Sequence, residues 1–355
     1  MVLDQTIWLK NYALKAYELR VHLEDEEDMI DLHLHFDGSL PVSTVWNQAC
    51  KQEIKLPAAT IEELRERMFC PVDCSSLNEY LEKFDLPLSV LQTTDGIRES
   101  MKDLIAELIS EEMLYAEIRF APQLHLRKGL TQEEVVLAAI DGVREALIGA
   151  KLKVQLILCC IRGSDNVEAN KETIMLTAKY LGKGVCACDL AGAEAIFKTA
   201  LFKDLFAYAK ELGVPYTIHA GEADGPESVR SALLFGAKRL GHGVRSALDA
   251  SLVNELAEKQ IVLECCPISN VQTKAVENIQ IHPIKEFLHK GIPVTINTDN
   301  RTVSQTNIAK EIRFLRKHLG LTKSEERQLY LNAVNAAFIS KEEREGLKNA
   351  VTKII

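Results

Sequence analysis

Two histidines stand one residue apart in the stretch DLHLHFDGSL, residues 31–40. Because side chains at positions i and i+2 of a β-strand lie on the same face, His33 and His35 can contact one metal ion. An isolated pair of this kind is more often a hydrogen-bonded pair in a protein core. The interpretation therefore depends on whether other metal-binding side chains occur at comparable places in the chain.

Further polar side chains end three later strand-like runs: His219 and Glu222 in TIHAGE, His242 in LGHGV and Asp299 in TINTD. If these runs belong to one parallel barrel, their C-terminal ends converge on one mouth. Three imidazoles and one carboxylate then form a ligand set suited to Zn²⁺, with room for a water molecule. The candidate metal ligands are His33, His35, His219 and Asp299.

One metal ion is the better interpretation. Barrel sites with two ions are bridged by a modified lysine at the end of strand four, but here CDLAG lies well away from Lys183 and Lys198. A different type of zinc site, which combines HxE with PCxxC, is absent because PCxxC does not occur in the sequence. The remaining histidines fall in helical or connecting patterns, which predicts surface or structural roles. They are His22, His125, His282, His289 and His318.

The elements that must position these side chains are eight strand-like runs, several of them almost continuously apolar. Helical patterns such as residues 131–147 and 202–213 lie between them. This alternation predicts an α/β protein of the (β/α)8 TIM barrel type. An open doubly wound sheet fits less well because no GxGxxG follows any strand. The predicted strands are residues 29–36, 115–121, 154–161, 185–191, 215–221, 239–244, 261–267 and 293–299.

Two segments exceed a minimal barrel. The connection from about residue 38 to 113 is too long for an ordinary βα loop, which predicts a helical cap inserted after strand 1. Residues 1–28 precede the first strand and read as an N-terminal helical and acidic extension, ending in EDEED. Residues 29–355 are predicted to form a single domain.

The composition limits the possible partners. A net charge of -9 over 355 residues argues against a general nucleic-acid binder. No stretch approaches about 18 consecutive apolar residues, and the start lacks a signal-peptide pattern, so we expect no membrane contact and a cytoplasmic location. Nothing in the sequence indicates a protein partner; the expected partners are a small-molecule substrate and water.

The motifs HLHFDGSL, DLAGAE, TIHAGE, LGHGV and TINTDN, in this order, resemble those of adenosine deaminases of the amidohydrolase superfamily. The resemblance runs from about residue 29 to 340. It implies one Zn²⁺ per chain, whose bound water becomes a hydroxide that attacks purine C6. Adenosine would give inosine and ammonia, and 2′-deoxyadenosine would give 2′-deoxyinosine and ammonia.

The resemblance also implies roles for the polar residues at the mouth. His242 orients the attacking water and helps take its proton, and Glu222 protonates the ring nitrogen beside the attacked carbon. Glu222 must then remain protonated near pH 7, which a dry pocket can achieve. Asp299 counts among the catalytic groups, and His35 lies beside the substrate.

The implied substrate contacts come from three further places. The Gly192 backbone N–H contacts the purine, Asp37 bonds a ribose hydroxyl, and Asn300 contacts the imidazole nitrogen of the purine. Many relatives have aspartate in place of Asn300, and an acidic residue is frequent in place of Ala193. In the cap, an i, i+3, i+4, i+7 pattern predicts one helix face forming an apolar wall over the substrate. Its members are Leu77, Tyr80, Leu81 and Phe84.

Other functions stay open at this point. The substrate could be another 6-aminopurine, such as adenine or aminofutalosine, although Asp37 favours a ribose. An AMP-type enzyme would need basic residues for the phosphate, and Arg301 is expected near the mouth. A binding protein without catalysis, and an amidohydrolase acting on another C–N bond, are the alternatives from other classes.

Overall fold

Eight parallel strands form the centre of the protein in a computed structural model that describes residues 29–71 and 73–352. The predicted N-terminal extension, residues 1–28, lies outside the described residues. The strands are β1 Ile30–His35, β2 Tyr115–Phe120, β3 Lys153–Ile161, β4 Val185–Ala191, β5 Thr217–Ala220, β6 Arg239–His242, β7 Val262–Cys265 and β8 Val294–Ile296.

Two four-stranded halves, β1 to β4 and β5 to β8, close into one barrel. Between β1 and β8, the Asp299 N–H donates to the His33 carbonyl at 2.8 Å, and the His35 N–H donates to the Asp299 carbonyl at 2.7 Å. Between β4 and β5, the Cys188 N–H donates to the Pro215 carbonyl at 2.9 Å. The predicted (β/α)8 barrel is therefore confirmed, and His33, His35 and Asp299 lie at its closing seam.

Helices surround the barrel and cover one end of it. Several begin with a side chain that accepts a backbone N–H, including capping boxes at Thr131 and Thr322. No helix among the described residues is long and apolar enough to cross a membrane. The helices are α1 Val42–Lys51, α2 Ile61–Met68, α3 Leu77–Leu81, α4 Asp85–Val90, α5 Thr94–Ser110, α6 Gln132–Ala146, α7 Val167–Tyr180, α8 Lys203–Glu211, α9 Pro226–Phe235, α10 Ala250–Glu258, α11 Pro267–Gln272, α12 Ile284–His289, α13 Ile308–Leu319, α14 Lys323–Ala336 and α15 Lys341–Thr352.

The long connection after β1 contains helices α1 to α5, as the prediction of a helical insertion requires. The expected single helix across residues 77–84 is instead α3 followed by a 3-10 turn, Glu82–Phe84, that leads into α4. Pro87 supplies a physical reason, because it has no N–H to donate to the carbonyl four residues earlier. The four predicted wall residues nevertheless face the same cavity.

Charged side chains fill part of the barrel interior. Arg119 of β2 reaches Glu264 of β7 at 2.8 Å, which places both side chains inside the barrel. Arg239 of β6 binds Glu264 at 2.7 Å and Glu117 of β2 at 2.7 Å. All four side chains are at most 3 % exposed. Buried charges of this kind are stable only when they are paired and hydrogen-bonded, so the barrel depends on a complete ionic network.

Candidate active site

The four predicted metal ligands come together at the C-terminal mouth of the barrel. One ligand atom from each of His33, His35, His219 and Asp299 lies within 4.8 Å of the others. The Asp299 Oδ1 atom is 3.5 Å from His33 Nε2 and 3.4 Å from His35 Nε2, and the Nε2 atoms of His35 and His219 are 3.2 Å apart. The strand alternation of β1 and the closing seam explain this convergence.

Buried carboxylates hold the outer nitrogens of two of these histidines. His33 Nδ1 is 2.9 Å from Glu264, and His219 Nδ1 is 2.8 Å from Asp189. The Arg119 guanidinium joins the two carboxylates, at 2.9 Å from Asp189 and 2.8 Å from Glu264. Glu264 accepts a hydrogen bond from His33 Nδ1, which leaves the His33 Nε2 lone pair directed into the site, and the Asp189 carboxylate pairs with His219 Nδ1.

The donor set fits a borderline-soft cation such as Zn²⁺. Burial lowers the pKa of His33 and of His35 well below the usual histidine range, so both imidazoles are neutral at neutral pH. His33 Nε2 is fully buried and has no hydrogen-bond partner among the described residues. Three imidazole nitrogens and one carboxylate oxygen thus surround a space that a cation would fill.

Unusual backbone conformations direct two of the polar side chains inward. His242 and Asp299 adopt φ values of +61° and +60°, in the left-handed region that costs a non-glycine residue about 1–2 kcal/mol. Gly241 precedes His242, and a Cβ atom there would lie 3.0 Å from the His33 ring and 3.2 Å from His219. The GHG motif therefore allows the imidazoles to pack closely while it turns His242 toward the site.

A second polar group adjoins the ligand cluster. Glu222 Oε2 is 3.6 Å from His242 Nε2, and one atom of each lies within 4.8 Å of Asp299. Burial raises the pKa of Glu222 to about 7, and burial lowers the pKa of His242 to about 4. At neutral pH the site therefore contains a carboxyl group that can donate a proton and an uncharged imidazole.

Glu194 holds the backbone that follows His219. Its buried carboxylate accepts four consecutive N–H groups, from Gly221 at 2.7 Å, Glu222 at 3.0 Å, Ala223 at 2.7 Å and Asp224 at 2.9 Å. The Ser228 hydroxyl also donates to this carboxylate. The sequence analysis missed this role, although Glu194 ends the DLAGAE motif. It also missed Asp189, Glu264 and Arg119, whose signal was a charge within an apolar strand.

A cavity of about 300 Å³ opens above these groups. Its wall includes Asp37, which is 5 % exposed, and Asn300, whose side chain packs so closely on Gly38 that a Cβ there would lie 1.9 Å from Asn300 Oδ1. Tyr80 also bonds Ser304 at 2.6 Å. Of the predicted site residues, only His33 does not line the cavity. The predicted residues lining the cavity are His35, Asp37, Leu77, Tyr80, Leu81, Phe84, Gly192, His219, Glu222, His242, Asp299 and Asn300.

Arg301 does not lie where the sequence analysis expected it. It is buried outside the cavity wall and pairs with Glu111 at 2.6 Å. Arg162 is the one arginine or lysine among the described residues that line the cavity. Its Nη2 atom donates to the carbonyl of His219 at 2.5 Å, and its Nη1 atom donates to the Phe197 carbonyl at 2.7 Å. Its terminal nitrogens are thus already engaged by the protein.

Comparisons with known proteins identify the family and the fold. The profile of the family described as adenosine deaminase matches residues 29–354. An adenosine deaminase of Haemophilus ducreyi is 50 % identical over 323 residues, which cover 90 % of this chain and 94 % of that protein. An adenine deaminase structure from Arthrobacter aurescens has 26 % identity and a TM-score of 0.84, covering 92 % and 98 % of the two chains. An amidohydrolase from B. ambifaria, solved with bound Zn, shares the fold at 19 % identity and a TM-score of 0.82, covering 92 % and 90 %.

Fold and site together define a hydrolase of the amidohydrolase type, a parallel barrel with a histidine and aspartate cluster at its mouth. The family profile matches nearly all of the described residues, which narrows the assignment from this type of hydrolase to one family. The chain belongs to the adenosine deaminase family.

Replacing Glu194 tests how the Glu222 backbone is held. Glu194→Gln keeps the shape but leaves one acceptor oxygen and one N–H₂ group opposite four N–H donors. Because hydrogen bonds to charged groups contribute about 1.5–3 kcal/mol each, we expect kcat to fall about 10- to 100-fold with the metal content unchanged. Steady-state kinetics and metal analysis measure both.

Glu325→Gln is the matched control, since Glu325 also accepts a backbone N–H, from Thr322 at 2.7 Å, but lies at the start of α14 outside the cavity wall. We expect its kcat to equal that of the unaltered protein. A folded Glu194→Gln variant with an unaltered kcat would contradict the role given to Glu194.

Proposed function

We propose that the protein hydrolyses adenosine to inosine and ammonia, and 2′-deoxyadenosine to 2′-deoxyinosine and ammonia, with one zinc ion per chain. The observation that supports this most directly is the cluster of four metal-binding atoms within 4.8 Å of one another, beside a buried carboxyl group with a pKa of about 7. The proposed partners are a purine nucleoside and water. The proposed catalytic unit is the single domain 29–355, and a cytoplasmic location stays a prediction from the sequence.

His33, His35, His219 and Asp299 are the proposed zinc ligands. When bound there, zinc would lower the pKa of a water molecule toward neutrality and so make a nucleophile available near pH 7. The contribution of the chain is to orient the imidazoles and to keep those of His33 and His35 neutral through the burial that lowers their pKa. Glu264 and Asp189 fix the outer nitrogens of two of them, as metal-bound histidines require.

Glu222 is the proposed proton donor to the purine ring. Glu222 is 4 % exposed, and the burial that raises the pKa of its carboxyl group to about 7 keeps a large fraction of that group protonated at neutral pH. Proton transfer to the ring nitrogen beside C6 would draw electrons from C6 and favour attack by water. His242, 3.6 Å from Glu222, is the proposed contact of the attacking water.

Other groups of the cavity are proposed to recognise the nucleoside. The Gly192 N–H and the Asn300 amide contact the purine, and an amide can donate at any pH, whereas an aspartate would have to be protonated. Asp37 accepts a hydrogen bond from the ribose. Leu77, Tyr80, Leu81 and Phe84 form the wall over the substrate.

The charges of the wall favour a nucleoside over its 5′-phosphate. Asp37 and Asp85 line the cavity, and the terminal nitrogens of Arg162 already bond the protein. An additional phosphate would meet like charges, with no lysine or arginine other than Arg162 among the described lining residues, and such juxtapositions cost several kcal/mol. Adenine remains the second candidate substrate because a structural relative at 26 % identity is an adenine deaminase.

Replacing Glu222 tests the proton-donor assignment. Glu222→Gln keeps the size of the side chain but removes its acidic proton, so we expect kcat to fall about 10²- to 10⁴-fold while one zinc per chain is retained. Absorbance loss of adenosine and metal analysis report the two quantities. Glu227→Gln, on the exposed face of α9, is the control and should leave kcat unaltered. Loss of zinc from Glu222→Gln would show that Glu222 is a ligand.

A substrate panel combined with Asp37→Asn tests the ribose contact. We expect kcat/KM for AMP to be at least about 100-fold below that for adenosine, since 1.4 kcal/mol corresponds to a factor of ten. Asp37→Asn should lower kcat/KM for adenosine about tenfold, because a hydrogen bond to a charged acceptor is lost, and should leave adenine turnover unaltered. The panel includes 2′-deoxyadenosine and aminofutalosine. Faster turnover of adenine than of adenosine would overturn the substrate assignment and preserve the chemistry.

A further inference from the structure

A series of hydrogen-bonded side chains extends from His242 away from the cavity. His242 Nδ1 is 2.9 Å from Asn270 Nδ2, in α11, and Asn270 Oδ1 is 3.1 Å from His282 Nε2. All three side chains are buried, with exposed fractions of 0 %, 0 % and 5 %. The sequence analysis predicted only a surface or structural role for His282.

Backbone groups fix the orientation of the Asn270 amide. The Cys266 N–H donates to Asn270 Oδ1 at 3.3 Å, and a backbone N–H can only donate. The atom that faces Cys266 and His282 is therefore the oxygen, and the atom that faces His242 is the amide nitrogen.

Backbone groups also fix His282. The Ile284 N–H donates to His282 Nδ1 at 3.3 Å, so this nitrogen carries the lone pair. The ring hydrogen of His282 is then on Nε2, where it donates to Asn270 Oδ1. The backbone N–H groups of Cys266 and Ile284 thus require the same direction of hydrogen-bond donation, from Ile284 to His282 and from His282 to Asn270.

This direction determines the hydrogen position on His242. The Asn270 amide nitrogen can only donate, so His242 Nδ1 must be the acceptor. A hydrogen on His242 Nδ1, as in the other tautomer or in an imidazolium, would point at the N–H of the Asn270 amide. Two donors would then face each other with no acceptor between them. The single ring hydrogen is therefore on Nε2, which has no hydrogen-bond partner among the described residues and lies 3.6 Å from Glu222.

We propose that Asn270 and His282 are positioning residues that hold His242 with its hydrogen on Nε2, so that His242 donates a hydrogen bond to the attacking water. In this tautomer Nε2 has no lone pair and cannot receive a proton from water. The inference rests on the proposed function, and it alters one expectation from the sequence, that His242 helps take the proton.

Asn270→Asp reverses the hydrogen bond between residue 270 and His242 with almost no change in the shape of the side chain. Both carboxylate oxygens accept, so Cys266 and His282 keep their acceptor, but His242 must now donate from Nδ1. We expect kcat to fall about 10²- to 10³-fold, the loss typical of one donor to a reacting oxygen, and KM to change less than threefold. His282→Gln keeps an N–H donor toward Asn270 and should retain kcat within threefold.

Nitrogen NMR of the zinc-loaded, ¹⁵N-histidine-labelled full chain reports the tautomer without any substrate. His242→Asn identifies the His242 signals by their loss. We expect the unaltered protein and His282→Gln to show the Nε2–H form and Asn270→Asp the Nδ1–H form, with one zinc retained per chain. If Asn270→Asp does not fold, the spectrum of the unaltered protein still shows which nitrogen of His242 carries the hydrogen.

An Nδ1–H signal for His242 in the unaltered protein would overturn the proposal, and so would an Asn270→Asp variant with the Nδ1–H form and an unaltered kcat. These outcomes differ from failure of the proposed function. A different preferred substrate would appear in the substrate panel and would leave the tautomer as predicted.

Discussion

The site depends on one buried ionic contact, the Arg119 guanidinium between Asp189 and Glu264. A charge without a partner in this interior would be costly, so the three groups stabilise one another. Burial alone would raise the pKa of Glu264, but the guanidiniums of Arg239 and Arg119 lower it to about 2. Because both carboxylates remain charged, they hold the Nδ1 atoms of His33 and His219 and direct the Nε2 atoms toward one point.

The same arrangement recurs at the other reacting groups. Each has a buried outer partner: Ser269 of α11 donates to Asp299 at 2.5 Å, and Asn270 of the same helix contacts His242. Glu194 holds the backbone of Glu222. These partners allow the left-handed backbone at His242 and Asp299 to persist, since packing and hydrogen bonds offset the local strain. Rigid support of this kind is what a reaction that needs fixed donors requires.

The sequence predicted the barrel and the convergence of its polar residues because both follow from periodicity. His33 and His35 alternate along β1, and the other candidates end later strands. The strand ends were less accurate: the predicted run 293–299 became β8, Val294–Ile296, because residues 297 and 298 interrupt the ladder before Asp299 pairs with β1. The partners Glu264 and Asn270 could not be assigned from the sequence, since their contacts join residues 231 and 28 positions apart.

The cap and the substrate preference were harder to predict for a different reason. The wall residues were identified from a helical face, yet a 3-10 turn interrupts that helix, and only the tertiary structure shows that the face is preserved. Arg301 was expected near the mouth because it follows Asp299 by two residues, but its side chain turns away to Glu111. Side-chain direction after a left-handed turn does not follow from residue spacing alone.

The proposed zinc ion is bound by three imidazoles, two of them held by carboxylates, and by one aspartate. X-ray absorption at the zinc edge, combined with metal analysis of the full chain, measures this coordination. We expect one zinc per chain with three imidazole nitrogens and carboxylate oxygen at about 2.0–2.2 Å. Two ions per chain, a sulfur ligand, or fewer than three imidazoles would contradict it.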